Sequence, residues 1–466
     1  MKKKFTRLFF FAFNRALRNI QSAITDKEYY GYHYEFPKID TFNNGLPHFT
    51  HHIYDSGAPK DYKYLLRNDS KYNIKSSTEW KELYNFVKKE ADLSKYFNII
   101  ESLGVNFDFI EIYLYSIVVN FTEYYIHTTN NHRAIKKTFL KLYSQLFNAI
   151  FAKTLSLSIC FPIPLVKFDF DSRIIAENII IKKIPNAIQL SRNDTNASNS
   201  NHNLISGAST HYFVLKNWSI PNPYNLWNIH QVLSDLNSFE KPIEYAKKFI
   251  SSLRIETNLQ TGLTQLLTIP DNWVADYDAH LKRIYRINLN EYNHDLEKDG
   301  WLINQDIVTK KTISRVINTF KNISSISNNS FILSLDRYNE YYTRKNERDK
   351  IIDLTTALES LLTNDSRSEI TYRLSNRIAI LFKKHNIKTY MAEDILDIVK
   401  KIYDYRGAIV HGECKLDKKR TIVLPTKESV QAVELAHHIL KEVLQIFIKN
   451  KKVYKPSEID KLLLSC

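Results

Sequence analysis

Apolar residues recur at helical spacing along most of the chain, with one stretch where the period changes. Over residues 1–20, Phe5, Leu8, Phe9, Ala12 and Phe13 fall near one face, which predicts a basic amphipathic helix. Residues 30–76 are rich in Tyr, His, Asn, Asp, Pro and Gly and read as irregular. Three helices are predicted next, over about 78–102, 107–128 and 133–153. Their apolar stripes are Leu83, Phe86 and Val87, then Leu114, Ile117, Val118 and Phe121, then Leu142, Leu146 and Ile150. From about 155 to 220 the pattern alternates through Val166, Phe168 and Phe170, the mark of a half-buried strand. Ile179–Ile184 and Tyr212–Leu215 are further strand candidates. Between them, Asn193–Asn203 is too polar to pack and reads as a surface loop. Residues 226–330 mix helix and loop, with turns at Pro270–Asp271 and Asn328–Asn329. Beyond about 331 the pattern is helical, without proline until Pro425.

The expected class is therefore α+β and mostly helical. A domain boundary near 325–335 separates an N-terminal region, 1–330, from a helical domain, 331–466. The N-terminal region holds the β segment at about 155–220. No internal repeat is evident.

Three C-terminal segments stand out. The first, about 331–362, ends in a stripe of Ile351, Leu354, Leu358 and Leu361, with Glu359 beside it. The second, about 368–385, places Leu374, Ile378 and Leu381 on one face and carries Arg373 and Arg377. The third, about 392–411, aligns Ile395, Ile398, Val399, Ile402 and Ile409. Arg406 falls inside that last stripe. A guanidinium aimed at a core needs a carboxylate or an anionic ligand, because burying it unpaired is costly; Glu359 is the first candidate partner. His411 closes the segment and Gly412 follows as a helix stop. His411 thus sits at a helix C-terminus, where the dipole favours a cation, which suits a proton donor. Residues five apart lie about 140° around a helix. Arg406 and His411 therefore converge only at a distorted helix end or across two protomers.

Composition removes several function classes. The chain has 466 residues and only nine glycines, and neither G-x-G-x-x-G nor G-x-x-x-x-G-K-[ST] occurs. No G-x-S-x-G or H-E-x-x-H is present. Cys160, Cys414 and Cys466 form no C-x-x-C pair, so free thiols in a reducing cytoplasm are expected. No metal or cofactor is expected. His437 and His438 would point about 100° apart on a helix, and His51–His52 lies in the irregular region.

The net charge is +15 and sits at the ends. Residues 1–20 hold six Lys/Arg and no acid, and residues 331–466 hold 25 Lys/Arg against 19 Asp/Glu. A polyanionic partner fits that distribution, and so does a merely lysine-rich surface. The N-terminal stretch lacks a signal peptide's apolar core and cleavage site. Its amphipathic face either docks on its own domain or lies on anionic lipid or RNA.

DKIIDLTTALESLL (349–362), YRLSNRIAILF (372–382) and IYDYRGAIVHGE (402–413), in that order, resemble the Apea-like branch of the HEPN superfamily. The likeness covers roughly 331–450. It implies an all-helical bundle that dimerises through the helices bearing its Arg and His, and metal-independent RNA cleavage. It places Arg406 and His411 in the catalytic positions and Glu359 as the supporting acid. Gly407 departs from the pattern, since many members carry a polar residue directly after the Arg. Lys415, Lys418, Lys419 and Arg420 follow the motif and suit RNA backbone; Tyr403 and Tyr405 suit base stacking or core packing. The resemblance further implies a cytoplasmic effector of bacterial antiviral defence or a toxin. Residues 1–330 would sense a phage-derived or small-molecule trigger. The alternative is a non-catalytic HEPN module for dimerisation or RNA binding.

Overall fold

The computed structural model describes residues 1–26, 33, 36–52, 59–98, 108–193, 201–279, 281–297, 307–363, 369–412 and 416–462. Among them the fold is α+β and mostly helical. The chain starts with α1 (Lys2–Thr25), the hairpin β1 (Phe36–Thr41) and β2 (Pro47–His52), and the helices α2 (Thr78–Lys89), α3 (Ala91–Phe97), α4 (Phe109–Thr129) and α5 (Lys136–Phe151). There follow β3 (Thr154–Pro164), β4 (Lys167–Phe168), β5 (Ser172–Ala176), β6 (Ile179–Lys183), α6 (Asn186–Arg192), α7 (Asn201–Gly207) and β7 (Ser209–Pro221). Next come α8 (Leu226–Ser234), α9 (Glu240–Thr257), β8 (Leu263–Pro270), β9 (Tyr285–Glu291), β10 (Ile307–Val308), α10 (Lys310–Ser325), α11 (Asn329–Thr343) and α12 (Glu347–Leu362). The chain closes with α13 (Ile370–Lys384), α14 (Ala392–His411), α15 (Leu416–Arg420), β11 (Thr421–Val423), β12 (Ser429–Gln431), α16 (Ala432–Asn450) and α17 (Pro456–Leu462). No helix among the described residues is long and apolar enough to cross a membrane.

Four local expectations change. Residues 36–52, read as irregular, form a hairpin, because Gly45 takes φ +81 in the tight turn between Phe42 and Leu46. The helix expected over 78–102 breaks at Glu90, whose backbone is extended, and α3 ends at Phe97; residues 99–102 lie outside those described. The polar loop expected over 193–203 turns helical at Asn201, and residues 194–200 lie outside those described. The long segment 331–362 is two helices. Asn346 caps α12 by accepting from the Arg348 amide, which restarts the helix after Thr343.

The described residues form two compact units, one of 1–164, 171–242 and 264–289, the other of 165–170, 243–263 and 290–466. In the first, Phe5, Phe9 and Phe13 lie one helical turn apart on α1 and are fully buried. They pack edge-on and tilted against Phe121 of α4 and Phe139 and Tyr143 of α5. The amphipathic face thus docks on its own unit and is not presented to lipid. The same unit holds a six-stranded sheet in the order β5-β6-β7-β3-β8-β9. Its register aligns Ile180, Val214, Cys160 and Leu267 across four strands, and these side chains form one apolar face covered by Ile188 of α6.

In the second unit, the stripes of α12, α13 and α14 meet α16 in a single core. Leu354 and Leu358, Leu374 and Ile378, Ile395 and Ile402, and Leu440 and Leu444 are all essentially inaccessible. The helices expected beyond 331 fall inside this unit, which also takes in α10 and most of α9. Two buried charges brace it. Asp353 accepts from Arg337 at 2.6 Å and Arg344 at 3.0 Å, and Arg377 donates to both Asp460 oxygens at 2.7 Å, pinning α17 to α13.

Candidate active site

The site grows from the phase of two helices. On α12, Leu358 points into the core, and Glu359, 100° further round, comes to its edge. On α14, Ile402 is in the core; Tyr403 stands beside it, and Arg406 follows on the same side one turn later. Tyr403 is buried, and its hydroxyl donates to Glu359 Oε1 at 3.1 Å and approaches the Thr355 carbonyl at 3.4 Å. Burial first, and the Glu359 carboxylate second, push this phenol well above its ordinary range, so it stays a donor at all physiological pH.

Arg406 Nη2 stands 3.7 Å from Glu359 Oε1, near enough for attraction but too far for a hydrogen bond. Its Nε is buried without a hydrogen-bond partner. That Nε is closed to a ligand, but a third of the side chain is exposed, so the outer nitrogens keep unspent donors. The guanidinium faces a cavity of about 640 Å³ formed by Glu359, Tyr403, Arg406 and the first turn of α13 from Glu369 to Tyr372.

His411 is the last residue of α14, and Gly412 closes the helix in the left-handed region at φ +67, as the sequence predicts. The histidine is exposed and is not among the residues lining the cavity. Gly407 also faces open space: a Cβ built there meets no atom within 4 Å.

The basic segment divides. Lys418 is exposed and Lys419 half-buried on α15, whereas Arg420 is ion-paired to Glu347, its Nε 3.1 Å from Oε1. Lys415 lies outside the described residues. Tyr405 is buried and donates to Glu347 at 3.3 Å, so it and Tyr403 are packed rings and not open platforms. Among the described residues, no group of three or more His, Cys, Asp and Glu is arranged to hold a metal.

Two residues that sequence reading passed over belong to the cavity. Glu369 precedes α13 at φ +56, and its carboxylate makes no hydrogen bond or ion pair with the described residues. Tyr372 is 68% exposed. Tyr372 opens the second quoted motif, but nothing in its spacing marked it, because an exposed ring breaks no apolar stripe.

A larger cavity, about 1000 Å³, belongs to the first unit. Its charges balance, Asp271 and Asp278 against Lys282 and Arg283, and none of the sequence candidates lines it.

In comparisons with family models, curated proteins and solved structures, the chain matches none of them.

Proposed function

We propose that this chain is a metal-independent endoribonuclease of the HEPN type, acting as a bacterial defence effector or toxin. One observation carries the reading. Arg406 sits at the wall of a cavity with a third of its side chain exposed and its carboxylate neighbour beyond hydrogen-bond range, on the helix that ends in exposed His411. A guanidinium with free donors at a concave site suits phosphoryl oxygens.

In the proposed reaction, a ribose 2′-hydroxyl attacks its own 3′-phosphorus. The P–O5′ bond breaks, leaving a 2′,3′-cyclic phosphate and a 5′-hydroxyl. Arg406 stabilises the charge that builds on the phosphorane oxygens. His411 delivers a proton to the departing 5′-oxygen, and a second copy's His411 takes the 2′-hydroxyl proton. A two-fold pairing of α14 helices brings both imidazoles to one cleft, which a single helix does not do. Glu359 aims Arg406, and Tyr403 holds Glu359.

A second reading, a non-catalytic module that binds RNA, is favoured by the position of His411 outside the cavity. Incubating the protein with total RNA and tRNA in EDTA, beside the Arg406→Ala/His411→Ala double variant, separates the two. Cleavage by the wild type alone supports the enzyme. Retention of uncut RNA, weakened by salt, supports the module.

A further inference from the structure

Tyr372 exposes 68% of its surface, although tyrosine rings ordinarily bury much of their area in cores and interfaces. It stacks on no described ring, and it stands at the wall of the cavity that holds Arg406. The same lining carries two carboxylates. Glu359 is engaged by Tyr403, and Glu369 makes no hydrogen bond or ion pair with the described residues. The volume, about 640 Å³, lies within the roughly 300–1,000 Å³ of small-ligand sites.

From this arrangement we infer that the cavity is a subsite for one unstacked guanine nucleotide, with Tyr372 as the platform for the base and Glu369 as the reader of its edge. The inference deepens the ribonuclease reading and rests on its assignment of Arg406 to phosphate. An open phenol offers a face on which any base stacks. A carboxylate accepts from two adjacent N–H groups at once, and guanine presents such a pair, N1–H and N2–H, on its Watson–Crick edge. Adenine and cytosine each present one amino group there, beside a ring nitrogen that repels a carboxylate. Arg406, whose side chain is a third exposed at the cavity wall, receives the phosphate through its outer guanidinium nitrogens. The cavity lining combines a carboxylate at Glu369 with the guanidinium of Arg406, the two charges a nucleotide with a donating base edge and an accepting phosphate calls for.

The test is calorimetric titration of the full-length protein with guanosine 3′-monophosphate and adenosine 3′-monophosphate in EDTA. The guanine nucleotide is expected to bind about tenfold tighter or better, the effect of one charge-assisted pairing. Tyr372→Ala should weaken it by about tenfold or more, the weight of one stacked base, while Tyr372→Phe stays within about twofold. Glu369→Gln should erase most of the guanine preference and leave the adenine nucleotide nearly unaffected. Both side chains are exposed, so the variants keep the wild-type unfolding midpoint. Equal binding of the two nucleotides, unchanged affinity in Tyr372→Ala, or no binding of either at millimolar concentration would overturn the inference. Failure of the enzyme reading is a different result: guanine nucleotide binds as described, and RNA stays uncut.

Discussion

Arg406 and Glu359 face each other across α14 and α12 at 3.7 Å, attracted but not hydrogen-bonded. Their side chains are 33% and 23% exposed, so solvent screens much of the attraction. Pairs of this kind contribute about 0–1 kcal/mol to stability. The pair's energetic weight therefore falls on orientation, and the arginine's spare donors are left for a ligand.

Glu359→Gln is expected to separate those roles. The amide oxygen still accepts from Tyr403, so urea unfolding should shift by less than about 1 kcal/mol. Without the negative charge, phosphate competes for Arg406 with no carboxylate beside it. RNA affinity should then rise by about two- to fivefold at low salt, while cleavage falls as the guanidinium loses its aim. A stability loss of several kcal/mol would place the pair among the structural struts, with Arg377 and Asp460.

The basic segment after His411 should prove uneven. Lys418 is exposed, whereas Arg420 is committed to Glu347, which also accepts from Tyr405. On single-stranded RNA, Lys418→Ala should lower the slope of log affinity against log salt by about 0.7, one phosphate contact. Arg420→Ala should change that slope less and lower the unfolding free energy instead, since it strips a partner from Glu347 at the start of α12. Filter binding from low to moderate salt reads the first effect, and denaturant titration the second. Equal slopes lost in both variants would show the Glu347 pairing to be incidental.

The elements that could be read from sequence were those whose burial leaves a period. The stripes of α12, α13 and α14 name the residues that meet in the second unit's core, and Gly412 marks the end of α14 at the observed residue. What left no period was missed. The hairpin around Gly45 depends on one left-handed glycine between short strands. The break at Glu90 interrupts no apolar stripe, since Leu93, Tyr96 and Phe97 continue the burial beyond it. Glu359 and Arg406 were legible as partners because a charge inside a stripe demands one. Tyr372 and Glu369 were not, because an exposed ring and an exposed acid look like ordinary surface until the fold sets them around a cavity.

His437 gives the second unit an acid sensitivity of definite sign. Its ring lies flat between Tyr341, centroids 4.0 Å apart, and Tyr338, at 4.9 Å. Its Nε2 is buried without a partner. Burial, and after it the nearby cations Lys441, His438, Arg254 and Lys350, lower its pKa to about 3. An unfolded histidine titrates near 6.5. Above roughly pH 6.5 the imidazole is neutral in both states, and the stack's contribution is whole. As pH falls below that, the unfolded chain takes up a proton that the folded chain refuses, so stability drops by up to about 1.4 kcal/mol per pH unit until roughly pH 3. Replacement by phenylalanine keeps a flat ring between the two tyrosines and removes the titration. Urea unfolding at pH 7.5 and pH 4.5 should show the wild type losing about 2–3 kcal/mol more than His437→Phe over that interval. Other histidines with lowered pKa, such as His230 and His385, contribute equally to both proteins and cancel in the difference. Parallel losses in the two proteins would mean that His437 takes up its proton without leaving the folded state, and that the ring stack opens to water well before the unit unfolds.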